Sequence, residues 1–149
     1  MGIEKDIQQQ VFRNDYQRAM VNLIFSANWL TEKIKEFLDS EEITPQQYNI
    51  LRILRGSKKP MSTLEIRSRM LDKMSDTSRI VERLLKKGFV EKKICSTDKR
   101  MVDIHISKIG NSVLEKLDCK NDKLDTILQK ISLEEALILN RLLDKMRDL

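Results

Sequence analysis

The side chains best equipped for chemistry in this chain are hydrogen-bond donors of fixed shape, and they gather in one place. Ser75, Asp76, Thr77, Ser78 and Arg79 follow one another, and Arg83 stands one helical turn further on. Arginine presents a planar fork that bonds the O6 and N7 atoms of guanine together, and Ser or Thr hydroxyls bond bases or phosphates alike. Arg79 is therefore the first candidate for reading a base edge, with Ser75, Thr77, Ser78 and Arg83 beside it. Asp76 and Glu82 repel phosphate, so a surface helix whose charges serve only solvation is the competing reading. The wider charge distribution decides in favour of an anionic partner. Residues 52–108 carry sixteen basic and seven acidic side chains, a net of +9 in a chain whose total is +5, which leaves −4 for the remainder. Each phosphate that such a segment neutralises releases condensed counterions.

Other chemistries lack their residues. Cys95 and Cys119 form no CxxC pair, and His105 is the single histidine, so no zinc constellation exists. There is no glycine-rich phosphate loop, no Cys/His nucleophile pair and no Ser/His/Asp order, so neither an enzyme nor a bound cofactor is expected. The first six residues, Met1 to Asp6, bear charge where a secretory signal is apolar, and no apolar run has the length of a membrane span. Asp6 stands where a myristoylation signal at Gly2 needs Ser or Thr. A reducing cytoplasm is the expected compartment, with no membrane partner.

The elements that must hold these donors follow from periodicity and punctuation. A chain of 149 residues fits a single domain. Phe12, Tyr16, Ala19, Leu23, Ala27, Leu30, Ile34 and Phe37 step by three or four, and no Gly or Pro intervenes between Ile3 and Glu42, which predicts one long amphipathic helix. Such a helix exceeds what a compact domain needs, so part of it is expected to pack against another chain. Thr44-Pro45-Gln46-Gln47 opens a second helix that stops at Gly56. Ser62-Thr63-Leu64-Glu65 is a capping box that opens a third helix, to about Met70. The run Ser75 to Lys87 places Ile80, Val81, Leu84 and Leu85 on one face, and Gly88 ends it. Phe89 to Ile94 and the alternating Val102 to Ile106 predict a hairpin with a polar tip, His105 facing away from Ile104 and Ile106. Two further helices are expected, one through Val113, Leu117, Leu124 and Ile131, the other after Ser132-Leu133-Glu134-Glu135.

Three short helices and a hairpin inside a basic segment are the order of a winged helix-turn-helix, whose second motif helix lies in the major groove. The stretch from Leu84 through Gly88 to Lys92, then Asp98-Lys99-Arg100, then Asp103 through Ser107 to Gly110, resembles the multiple-antibiotic-resistance regulator (MarR) family. In that family the three stretches are the passage from reader helix to wing, the Asp-x-Arg wing tip and the strand-to-helix passage, Ser107 replacing a commoner Thr. The resemblance implies a mainly α fold with a small β-hairpin: a winged helix over about 43–108, flanked by N- and C-terminal dimerisation helices at about 3–42 and 108–149. It implies that Arg100 enters a minor groove and that Asp98 stabilises the wing. Phosphate contacts are expected from Ser62, Thr63 and Lys99, with Lys58, Lys59, Lys92 and Lys93 as further candidates.

The implied function is that of a homodimeric repressor of pseudo-palindromic double-stranded DNA, released by a small aromatic effector. Phe25, Trp29 and Tyr48, with Tyr16, are the candidates to line an effector cavity, although aromatic residues at helical spacing also build cores. Two alternatives stay open: a winged scaffold that binds protein, and a redox-responsive regulator using Cys95 or Cys119.

Overall fold

A computed structural model describes residues 2–94, 98 and 100–148. The chain divides into two compact units, Met1–Pro45 and Gln46–Leu149.

In the first unit, α1 (Ile3–Asp6) and α2 (Asp15–Leu38) replace the single helix expected between Ile3 and Glu42. The break has local causes. Gln8 adopts a left-handed φ of 54°, and the Asn14 side chain accepts the Gln17 N–H at 2.9 Å, capping a new helix. Asparagine offers the backbone an alternative to continued helix, which apolar spacing does not register. At 24 residues, α2 spans about 36 Å. Leu38 is its only buried residue, while Tyr16, Met20, Ile24 and Trp29 are exposed.

The second unit holds the donors. Its first helix is α3 (Pro45–Gly56), followed by β1 (Met61–Ser62), α4 (Thr63–Arg69) and α5 (Thr77–Lys86). Then come β2 (Val90–Ile94), β3 (Val102–Ile106), α6 (Lys108–Asp118), α7 (Asn121–Asp125), a 3-10 turn at Thr126–Leu128 and α8 (Leu133–Arg147). The antiparallel sheet has the order β1-β3-β2. The hairpin pairs Val90 with Ile106 and Ile94 with Val102. The two-residue β1, too short to show a pattern, adds an unforeseen third strand by pairing Met61 with Ile104. Ile50, Leu51 and Leu54 of α3, Ile66 of α4, Val81 and Leu84 of α5, Ile104 of the wing and Leu114 and Leu117 of α6 are buried and form the core. Both capping boxes are formed, Ser62 with Glu65 and Ser132 with Glu135.

The end of α5 and the start of α6 meet at one junction. Gly88 takes the left-handed φ of 74°, its N–H donates to the Leu85 carbonyl, and the Phe89 N–H donates to the Leu84 carbonyl, both at 3.0 Å. This paired closure is a Schellman motif, for which glycine is favoured. Ser107, which is buried, donates its hydroxyl to the Gly88 carbonyl at 2.6 Å and accepts the Gly110 N–H at 3.0 Å. Its own N–H donates to the Phe89 carbonyl at 3.0 Å. Gly110 is required here because a Cβ would overlap that Phe89 carbonyl.

The helix expected through Val113 and Ile131 is divided. It stops at Asp118-Cys119-Lys120, and Asn121 begins the next. Further on, the Thr126 hydroxyl bonds the Lys123 carbonyl at 2.7 Å where the helix tightens to 3-10 geometry. Arg55 on α3 and Asp118 on α6 form a two-pronged ion pair at 2.5 and 3.2 Å. The hydrogen bonds from Arg55 hold the Asp118 carboxyl below the usual carboxylate range. No residue of α8 is buried.

Two outcomes follow for stability. Gly110→Ala should destabilise the protein by about 2 kcal/mol, the cost of overpacking against backbone, seen as a lower urea midpoint; an unchanged midpoint would contradict the close approach. Because the folded pKa of Asp118 is depressed, its contribution is present at neutral pH and is lost as pH falls through the carboxylate range. Asp118→Asn should therefore lower the melting temperature by roughly 2 °C at pH 7, the worth of a half-exposed pair. That difference should begin to narrow near pH 4 and close only as pH falls through the depressed folded pKa; a gap that does not narrow on acidification would exclude the charge as its source.

Candidate nucleic-acid interface

The turn between α4 and α5 is tied down along its length. Asp72 accepts the Met74 N–H on its carboxylate at 3.0 Å. The Asp72 carbonyl accepts from the Ser75 hydroxyl at 2.7 Å, and Lys73 Nζ donates to the Ser68 carbonyl. Asn49 of α3 accepts the Leu71 N–H at 2.9 Å, fastening the turn to the core. Asp76 then caps α5 by accepting the Arg79 N–H at 3.2 Å. The acidic residue at the head of α5 thus has a structural task, aligning the helix through its cap.

The apolar face of α5 is held inside by Val81 and Leu84, so Ser78, Arg79, Arg83 and Lys86 face outward. Neither Arg79 nor Arg83 forms an ion pair among the described residues. Their guanidinium forks are thus uncommitted, unlike that of Arg55. Ser75 lies just before α5 and spends its hydroxyl proton on the turn. Thr77 departs from the expectation of a base-contacting side chain. It is 3% exposed, and its hydroxyl is buried without a hydrogen-bond partner. As the first helical residue, directly after the cap, it points into the protein.

Ser62 and Thr63 sit at the head of α4. The Ser62 N–H donates to the Glu65 carboxylate at 2.7 Å, and the bonds from Ser62 hold that carboxyl below the usual range. The Ser62 amide is therefore engaged by an anion of the protein itself. Arg67, which sequence reasoning passed over, lines an open cleft with Thr63, Ser75 and Ser78 at the amino end of α5. Its place one helical turn beyond Thr63, on the exposed face of α4, was the available signal.

At the wing tip, the Asp98 carboxylate accepts the Arg100 N–H at 2.9 Å, and the Asp98 carbonyl accepts the Met101 N–H at 3.0 Å. Asp98 shapes the turn through backbone bonds, leaving the exposed Arg100 side chain unpaired by it. Lys99 and Cys95 lie outside the described residues. On the outer face of the wing, His105 Nε2 and Glu91 Oε2 are 2.9 Å apart. Phe25 and Trp29 stand part-exposed on α2 in the first unit. Tyr48 stands on α3 in the second, its hydroxyl accepting from Arg52 at 3.0 Å. Cys119 is exposed at the end of α6. Among the described residues no cluster of three metal-ligating side chains occurs, and no helix is long and apolar enough to cross a membrane.

Two helices joined by a fixed turn and followed by a hairpin that β1 extends to three strands define a winged helix-turn-helix protein. Residues 43–102, the stretch holding the turn, α5 and the wing tip, match the model of the MarR family. Solved structures agree over almost the whole length. A mutant MarR from E. coli complexed with operator DNA is 20% identical with a TM-score of 0.77, covering 99% of each chain. The organohalide-sensing regulator RdhR-CbdbA1625 in its 2,4-dichlorophenol-bound form is 20% identical with a TM-score of 0.83, covering 94% of this chain and 86% of its own. A MarR transcription factor from Planctomyces limnophilus is 25% identical with a TM-score of 0.66, covering 90% and 98%. No curated protein matches the sequence.

The wing tip yields a direct check. Asp98→Ala removes the acceptor of the Arg100 N–H, so hydrogen exchange at that amide should quicken about fivefold, the equivalent of one hydrogen bond of ~1 kcal/mol. Asp98→Asn, which keeps the oxygen, should retain protection. Equal exchange in wild type and Asp98→Ala would mean that the tip is held by other groups.

Proposed function

We propose that this chain is a dimeric, sequence-specific regulator of transcription that binds double-stranded DNA in the cytoplasm and acts as a repressor released by a small aromatic effector. The observation that carries the reading is the exposed face of α5. Two uncommitted arginines and Ser78 project from a helix whose other face is core, inside the segment of +9 charge. In this reading α5 enters the major groove, where Arg79 forks onto a guanine edge and Arg83 reaches a base or phosphate one turn on. Arg100 enters the adjoining minor groove, where a narrow A·T-rich stretch deepens the negative potential. Arg67 and Lys99 neutralise phosphates and Thr63 hydrogen-bonds to one, which adds affinity at every sequence.

The exposed apolar residues of α2, and Leu137, Leu139 and Leu142 of α8, supply surface for a twofold dimer. Two copies of α5 about one DNA turn apart would then read a pseudo-palindrome. The likeness to a regulator solved with operator DNA supports the target. The likeness to one solved with a chlorinated phenol supports the class of effector.

The test is selection of a preferred duplex from a random library, followed by fluorescence anisotropy at several salt concentrations. Two chains should bind per duplex, with log K falling by about 0.9 for each phosphate contacted per tenfold rise in salt. Arg79→Ala should cost about 1–3 kcal/mol on the selected duplex and far less on a scrambled one. Lys99→Ala should weaken both alike and reduce the salt slope by about one. Equal, weak binding of every duplex would instead favour the protein-binding scaffold.

A further inference from the structure

Resting on that reading, we propose that Leu64 and Met74 form an apolar clamp that recognises the methyl groups of thymine. Met74 is 92% exposed and Leu64 75% exposed. Single exposed apolar residues are ordinary on a protein surface, but these two line the same cleft, at the amino end of α5, among Arg67, Ser75 and Ser78. Thr77, almost wholly buried, lines it as well.

Neither side chain owes its exposure to a loose backbone. Leu64 is the second residue of a helix closed by a full capping box. Met74 has its N–H bonded to the Asp72 carboxylate at 3.0 Å, and the next residue is bonded back to the Asp72 carbonyl. The fold thus holds two large apolar groups in water at the place where a reader helix meets base edges.

The major groove offers one apolar feature for them to cover. Adenine, guanine and cytosine present hydrogen-bonding atoms along that edge, whereas thymine adds its C5 methyl to an acceptor oxygen. Arg67 on one wall and Arg79 on the adjoining face of α5 suit the duplex that carries the methyl, while Asp76, which also lines the cleft, has its carboxylate engaged by the Arg79 N–H. A thioether is polarisable and adapts to the shape of its neighbour, which suits methyl contact better than hydrogen-bond readout. The cleft therefore selects thymine over cytosine by methyl burial, while the arginines of α5 select guanine by hydrogen bonds.

Uracil, which is thymine without the methyl, isolates this contact. On the selected duplex, each thymine is replaced singly and then symmetrically by deoxyuridine, and binding is measured for wild type and for Leu64→Ala/Met74→Ala. One position per half-site should weaken wild type about fourfold, the worth of one buried methyl-sized group. The symmetric replacement should weaken it about sixteenfold. The double variant, whose melting temperature confirms folding, should bind thymine and uracil duplexes alike. Wild-type binding indifferent to uracil would overturn the proposal, as would a double variant that keeps the thymine preference, or a selected half-site without thymine. In each of those cases selective binding would persist and DNA reading would stand. Failure of the library to yield any preferred sequence would overturn both.

Discussion

Much of the second unit depends on one buried hydroxyl. Ser107 bonds the carbonyl at the end of α5, caps α6 through the Gly110 N–H, and stands at the return of the wing's last strand. It thereby joins α5, the wing and α6 at one point. The Schellman closure at Gly88 sets the direction in which the chain leaves α5, and the absence of a side chain at Gly110 allows the helices to approach. Removing the hydroxyl would cost the two bonds and leave a buried carbonyl with one partner fewer. The mechanical result is that α5 and the base of the wing are fixed to each other. Two grooves of a duplex can then be engaged by a part of known span rather than by two independent pieces.

Charge is divided with similar economy. Arg55 is committed to Asp118, an interaction between α3 and α6 that belongs to the core's framework. Asp72, Asp76 and Asp98 are spent on backbone N–H groups in turns and caps. The acidic residues of this region therefore shape the surface on which Arg79, Arg83 and Arg100 remain uncommitted. An anion that met the +9 segment would find cations on the projecting elements, with Asp72, Asp76 and Asp98 already occupied and Glu82 the exposed carboxylate left on α5.

The elements most legible in the sequence were those encoded by short-range chemistry. The boxes at Ser62 and Ser132 and the stop at Gly88 are each specified within four residues, and each forms as read. What escaped was set by competition or distance. The break before Asp15 is decided by an asparagine cap that apolar periodicity does not see. The division at Asp118–Asn121 has no such signal, since Lys120 at the N-cap of α7 makes no side-chain cap bond. The strand β1 exists only because β3 lies beside it. Thr77 looked like a surface hydroxyl because it follows Ser75 and Asp76. Its burial comes from being the first residue inside the cap, where the helix turns towards Leu84 and the core. The Ser62 amide looked available until the Glu65 carboxylate, part of the same box, was seen to hold it.

The pairing of His105 with Glu91 has a practical consequence. It is the chain's single histidine, and it sits on the outer face of the wing sheet, away from the buried Ile104. Its imidazole protons are therefore a natural spectroscopic label for the wing alone. In heavy water its Cε1 proton would give one imidazole resonance, visible without isotopes and the only one of its kind beside the signals of the four Phe, two Tyr and one Trp rings, and would report motion or contact at the wing.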